Sequence, residues 1–346
     1  MAEEVKMETF AARLGIPGLV FRPVRDEGDH PIVADVLNRS GEADGLDYVV
    51  TTERVANWLT PRSDFDPQRD TILAEVNGEP VGYGRIGQWQ EANGARIYSL
   101  YVAVVPEWRK SGIWEAMLDW CEDRLRQIAA DHPPDGPRFF STSADDRQKA
   151  WIERLRKRGF RPVRYFYDMI HDRLDDLPPA PLPPGLEVRP VEPEHYRAVW
   201  EAIDEAFRDH WGYSESTEED YRQWLARPHF NPDLWQVAWD GDKVAGVAIN
   251  VIDEEENRKF NRRRGYVHTL GVRRPWRGRG LGRALLVRSL AMFRDRGMTE
   301  VCLGVDAENP TGALRLYESV GFRVLHSSAV WRKPMTQEEN DGSTDP

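Results

Sequence analysis

Two hydrophobic periods alternate along the second half of the chain. Apolar positions recur every three to four residues over 196–207, 218–225, 283–295 and 312–320, which predicts helices with one buried face. Between them, segments 185–191, 235–240, 244–252, 266–272, 300–305 and 322–332 are rich in β-branched and aromatic residues and predict strands. A strand, a helical pair, three strands, a helix, a strand, a helix and a last strand make a mixed sheet covered by helices, an α+β (α/β mixed) fold.

The first half repeats this order. Leu19-Val20-Phe21-Arg22-Pro23-Val24 answers Leu186-Glu187-Val188-Arg189-Pro190-Val191, and Trp58-Leu59 answers Trp224-Leu225. Tyr98, Val104, Trp108, Arg109, Gly112, Ala116 and Leu118 match Tyr266, Val272, Trp276, Arg277, Gly280, Ala284 and Leu286 at one constant offset. Such self-similarity predicts two tandem copies of one unit. Five prolines between Leu177 and Gly185 bar helix and central strand, so 177–185 reads as a stiff linker between domains 1–176 and 186–335, with 336–346 as a disordered polar tail.

Composition narrows the function. A formal net charge of −11 argues against nucleic acid or an anionic membrane as partner and favours small-molecule or peptide chemistry. Cys121 and Cys302 stand at apolar positions and read as buried thiols. No apolar run approaches the ~20 residues of a membrane span, the N-terminus lacks a signal core, and a cytoplasmic monomer or homodimer is expected. No histidine pair has metal-ligand spacing, so no metal is expected.

The chemistry concentrates in Arg277-Gly278-Arg279-Gly280-Leu281-Gly282, between a predicted strand and a predicted helix. Glycine tolerates positive φ and close approach, so successive N–H groups can converge on an anion, and the following helix adds its positive end. A dinucleotide fingerprint would want an acidic residue about twenty positions on, closing a second strand to hold a ribose, but the strand that follows, 300–305, leads elsewhere; a P-loop would need Gly-Lys-Ser/Thr, which does not follow. Downstream stand Asn309, Tyr317, Gly321 and Phe322. This loop and block together resemble the end of an acetyl-CoA-dependent acyltransferase of the GNAT N-acetyltransferase superfamily, with Asn309 one residue further from Tyr317 than in the commonest pattern.

The resemblance implies acetyl transfer from acetyl-CoA to a primary amine of a small molecule or peptide. The backbone of Arg277, Gly278, Arg279, Gly280, Leu281, Gly282 and Arg283 would hold the pyrophosphate, with Asn309 nearby. Leu270, Gly271 and Val272 would part from the neighbouring strand, pair with the pantetheine arm and offer an N–H to the thioester carbonyl. Arg273, Arg274, Arg279 and Arg283 cluster there, as phosphate contacts or as a solvated basic face. Tyr317 is the candidate acid for the leaving thiolate, since a phenol with a pKa of ~10 keeps its proton at neutral pH. His268 is the candidate base, with the charged loop Asp253-Glu254-Glu255-Glu256 as a second choice. His210, Trp211 and Tyr213 either wall the acceptor pocket or pack the repeats together. The first repeat has Trp114 where the second has Gly282 and Leu155 where the second has Tyr317, so it is expected to be non-catalytic. A rival reading is an acyl-CoA sensor in which neither half turns over.

Overall fold

The computed structural model describes residues 11–309 and 311–335; the expected tail lies outside them. The first repeat runs β1 (Leu19–Arg22), α1 (His30–Ala43), α2 (Thr52–Trp58), β2 (Thr71–Val76), β3 (Glu79–Gln90), β4 (Arg96–Val104), α3 (Ile113–Ala130), β5 (Arg138–Asp145), α4 (Lys149–Lys157) and β6 (Arg161–His171). The second runs β7 (Glu187–Val188), α5 (Tyr196–Phe207), α6 (Glu218–Leu225), β8 (Gln236–Asp240), β9 (Lys243–Ile252), α7 (Glu254–Lys259), β10 (Arg264–Val272), α8 (Leu281–Asp295), β11 (Glu300–Asp306), α9 (Ala313–Val320) and β12 (Arg323–Pro334). Helix α7 corrects the loop expected at 253–256. The Asp253 side chain accepts from the Glu256 N–H at 2.9 Å, and three glutamates in the first turn favour a helix N-terminus.

All twelve strands form one sheet in the order β1-β2-β3-β4-β5-β12-β6-β11-β10-β9-β8-β7. The order is symmetric about the β12–β6 pair, and each repeat has sent its last strand into the other's half. Strand β6 pairs with β11 from Val301↔His171 to Asp306↔Phe166, while β12 pairs with β5 from Ser328↔Asp145 to Pro334↔Phe139. The two exchanged strands also pair with each other, from Arg323↔Ile170 to Arg332↔Arg161.

The exchange reaches into the cores. Met169 of β6 is fully buried with Leu286, Leu290 and Phe293 of α8, and with Val301, Leu303 and Val305 of β11. Trp331 and Ala329 of β12 are buried with Trp114, Trp151, Leu155 and Phe160 of the first repeat. Full burial of side chains of this size stabilises by roughly 1.5–3 kcal/mol each, so each core is completed by the other repeat.

Charged groups lock the remaining seam. Asp47 accepts from Arg147 (3.1 Å), Arg262 (2.7 Å) and Arg264 (2.7 Å). Burial alone would raise this carboxyl, but hydrogen bonds from the three arginines hold it well below the usual range. Arg164 of β6 pairs with Asp306 of β11 at 2.8 Å.

Residues 1–176 and 186–335 produced as separate polypeptides are each expected to stay unfolded or to aggregate, and to regain native secondary structure only when mixed. Circular dichroism and gel filtration check this; a folded, monomeric half on its own would contradict it.

Candidate functional site

Strands β10 and β11 run parallel and pair only from Arg264↔Glu300 to Val267↔Leu303, after which they part. Beyond Val267, β10 stays bound to β9 on its other side, through Thr269↔Ile249, Leu270↔Ala248, Gly271↔Val247 and Val272↔Gly246. Alternate backbone N–H and C=O groups of residues 268–272 therefore face an open cleft, where an extended ligand arm can add to the strand. His268 is the extra residue of a bulge in the β9–β10 register, at the point of parting. A bulge there re-aims the side chain it carries.

The cleft leads to the glycine loop. Gly280 caps α8 at φ +82° and Gly278 stands at φ +72°. No side chain caps α8, so its first-turn N–H groups are open to an anion. A Cβ on Gly282 would meet Leu316 and Val272 at 3.6 and 3.7 Å; anything larger would fill the space between α9 and β10. Gly271 serves differently, because a Cβ there would come within 3.0 Å of Ala206 and so limits how closely α5 packs on β10.

The side chain of Arg277 is engaged within the protein. Its guanidinium donates to the carbonyl oxygens of Val272 (2.9 Å) and Ala206 (3.0 Å) and to Asp209 (3.1 Å), tying the end of β10 to α5. Arg109 makes the matching set in the first repeat, to Val104 O (3.0 Å), Ser40 O (2.9 Å) and Asp44 (2.6 Å). An arginine used identically in both halves has an architectural job. Arg273 pairs with Glu205 and Arg274 with Asp209, so among the described residues Arg279 and Arg283 are the members of the basic cluster without a carboxylate. Arg279 reaches the Pro184 carbonyl at 3.4 Å, and Arg283 reaches Ser319 Oγ at 3.0 Å. The Asn309 side-chain oxygen accepts from Thr311 N–H (2.8 Å) and Oγ (2.6 Å), which shapes the turn into α9.

Tyr317 lies on α9 against Phe322, buried, and its hydroxyl makes no hydrogen bond among the described residues. Burial pushes the phenol up to about 12. His268 borders a cavity of about 1080 Å³ between the two repeats, reached from the parting strands at Val267, Leu303 and Gly304. Its side chain is exposed to that cavity. Desolvation by the surrounding cavity wall first, then the positive charge of Arg227 and Arg54, pushes the imidazole down to about 4, so it is neutral at ordinary pH.

The acidic alternative is committed elsewhere. Asp253 pairs with Arg54 (3.1 Å) and His229 (3.2 Å), and Glu256 accepts from the Tyr266 hydroxyl at 2.7 Å and pairs with Arg262 at 3.2 Å.

His210, Trp211 and Tyr213 do not line the cavity; Trp211 and Tyr213 meet the first repeat through Arg164 and Ala92, and His210 packs within the second. Trp211 lies under the Arg332 guanidinium of β12 at 4.4 Å, the Tyr213 carbonyl accepts from Ala92 N–H at 2.8 Å, and His210 packs on Phe207. The same loop meets the cavity through Ser214, Glu215 and Ser216. Sequence reasoning passed over Asp168 and His326, which reach the cavity from the exchanged strands. A lone acid in the apolar run Tyr165-Phe166-Tyr167-Asp168-Met169-Ile170 was the available signal.

In the first repeat, β4 and β5 also part after Ser99↔Ser141, but the space beyond is filled. Trp114 is buried, stacked on Trp151 at 5.6 Å and covered by Arg154 at 4.3 Å. Leu14 packs over the loop so closely that a Cβ on Gly112 would come within 2.8 Å of it. Leu155 is fully buried.

Parted parallel strands over a glycine-led helix, present twice, define an acyl-CoA-dependent N-acyltransferase architecture, and comparison with known proteins agrees. The profile of the acetyltransferase (GNAT) family matches residues 38–132 and 196–322. Over 315 residues, 88% of this chain and 95% of the relative, the sequence is 30% identical to a mycothiol acetyltransferase of Catenulispora acidiphila. The GCN5-related N-acetyltransferase from Sphaerobacter thermophilus superposes with a TM-score of 0.68 at 28% identity, covering 93% of this chain and 98% of that one. A tandem GNAT protein from the clavulanic acid biosynthesis pathway shares the fold, with a TM-score of 0.65 at 15% identity over 93% of this chain and 100% of that one. The chain belongs to the GNAT acetyltransferase family and is an acyl-CoA-dependent N-acetyltransferase. Enzymes of this family use acetyl-CoA. Among the described residues, no helix is long and apolar enough to cross a membrane.

The depressed imidazole makes a stability prediction. Unfolded, His268 takes up a proton below about 6.5; folded, it resists until about 4. Its contribution is thus complete above pH 6.5 and is lost as pH falls to 4. His268→Asn should flatten the fall in unfolding free energy across that window, measured by urea titration at each pH; an unchanged slope would refute the assignment.

Proposed function

We propose that the second repeat holds the single working site, transferring the acetyl group of acetyl-CoA to a primary amine of a small molecule lodged in the cavity between the repeats. The observation that carries this reading is the contrast between the two clefts. In the second repeat no large side chain stands at Gly280 or Gly282 and the strands part at Val267 and Leu303 on the edge of the 1080 Å³ cavity, whereas the counterpart in the first repeat is filled by Trp114 and covered by Leu14.

Acetyl-CoA supplies the activated acyl group. The N–H groups around Gly280–Arg283 suit its pyrophosphate, with Arg279 and Arg283 beside them, and the free edge of Leu270–Val272 suits its pantetheine arm. A backbone N–H on that edge polarises the thioester carbonyl, an effect worth ~10²–10³ in rate for donors of this kind. Tyr317, protonated to about pH 12, donates to the departing sulfur. Neutral His268 stands where the strands part and passes one proton of the acceptor ammonium to cavity water, which frees the amine lone pair, and the second nitrogen proton, released as the amide forms, restores the Tyr317 phenol.

For the acceptor, the likeness to mycothiol acetyltransferases favours the amine precursor of mycothiol, and a cavity at the upper end of the ~300–1000 Å³ usual for ligand sites suits an acceptor of that bulk.

Calorimetry with acetyl-CoA should give one equivalent bound, abolished by Gly282→Trp; two equivalents would overturn the single-site reading. Free CoA and acetylated product should be followed with the mycothiol precursor, glucosamine, spermidine and lysine amide as acceptors. Binding without turnover by any of them would favour a sensor. Tyr317→Phe should lower kcat by about 10²–10⁴ and leave acetyl-CoA affinity unchanged; equal loss of affinity would mean a packing role only.

A further inference from the structure

The cavity wall carries several carboxylates, and nearly all have partners. Asp47 and Asp145 are held by Arg147, Asp253 by Arg54 and His229, and Glu256 by Arg262. Asp220 closes the N-terminus of α6 through Thr217, and Glu215 lies in the exposed loop before it. Asp168 differs from these. Among the described residues no group hydrogen-bonds or ion-pairs with its carboxylate, which is exposed to the cavity although Asp168 stands within the sheet, between Gly304 of β11 and His326 of β12.

Its position is set by the strand exchange. Asp168 on β6 pairs in register with Gly304 of β11, the residue just past Leu303, where β11 loses contact with β10. Its Oδ1 lies 3.7 Å from where a Gly304 Cβ would stand. The missing side chain at Gly304 leaves the carboxylate a clear path along the sheet face to the mouth of the cleft. Asp145, Arg147, His326 and Asp47 are the charged and titratable groups around it. Arg147 already serves Asp145 and Asp47, at 2.8 and 3.1 Å. Desolvation by the surrounding cavity wall, and then the charge of Asp145, raises the Asp168 carboxyl above its ordinary range; the side chain itself stays exposed to the cavity, where a cation can reach it.

We propose that Asp168 binds the ammonium group of the acceptor at the mouth of the parted strands, so that the first repeat supplies the acceptor-anchoring carboxylate of the second repeat's site. This deepens the transfer reading above and rests on it. It also gives the filled first repeat a direct part in substrate recognition, through the one strand that crosses to the catalytic half.

The test uses the full chain and whichever of the four amines named above the wild type acetylates fastest. Asp168→Asn keeps the shape and removes the charge. The amine KM should rise about tenfold to a hundredfold, as for loss of a charge-assisted hydrogen bond, with the acetyl-CoA KM and the melting temperature unchanged. The wild type should also bind the amine better than its hydroxyl analogue in competition, and the variant should lose that preference. Asp168→Glu, which displaces the charge by one methylene, should fall between the two. An unchanged amine KM in Asp168→Asn with an active wild type would overturn this inference alone. A wild type inactive toward all four amines would overturn the transfer reading and this inference with it.

Discussion

The antiparallel pairing of β6 with β12 is the constraint on which the rest of the structure depends. Without it the molecule would be two sheets on a proline-rich tether; with it there is one sheet of twelve strands and two cores, each finished by the other repeat. Met169 and Trp331 are buried in cores built mainly by the opposite repeat, so neither half can shed its partner without opening a cavity and exposing a sheet edge. The space between the halves is therefore a feature of the folded chain, enclosed by elements that cannot drift apart.

The same economy of parts explains why one repeat could drift while both kept their frame. Arg109 and Arg277 each bind the end of the fourth strand to the first helix of their repeat, and that task is independent of any ligand. The parting of the fourth and fifth strands is likewise present in both. What separates the halves is volume. The indole of Trp114 fills the groove that Gly282 leaves open, and its stacking on Trp151 turns a ligand-sized gap into ordinary core. If the second repeat alone holds the cofactor, as proposed, the first keeps its value through its closing strand and its face of the cavity.

Much of this was legible in the residues. The four helices predicted in the second half fall within two residues of the periods that predicted them, because an amphipathic face is a local pattern. The repeat, the glycine loop, and the contrasts of Gly282 with Trp114 and of Tyr317 with Leu155 needed only spacing and side-chain size. Errors arose where one residue had two local options or where the partner was distant. Asp253 reads as part of a solvated run until its side chain is seen capping α7. Trp211 suits a pocket wall equally well until Arg332 is found over its ring. Arg273 and Arg274 suit phosphate contacts as well as a solvated basic face until Glu205 and Asp209 are found beside them.

The sequence by itself determined the elements, the duplication, the family and the half whose loop remains open, since each follows from period, spacing or the volume of a side chain. Only the tertiary structure decided which strand lies beside which. A strand's hydrogen-bonding edge carries no address, and β6 offers the same backbone to β5 as to β11. That choice placed Asp168 beside Gly304, set the cavity between the repeats, and turned the expected acceptor-loop aromatics into the seam that holds the repeats together.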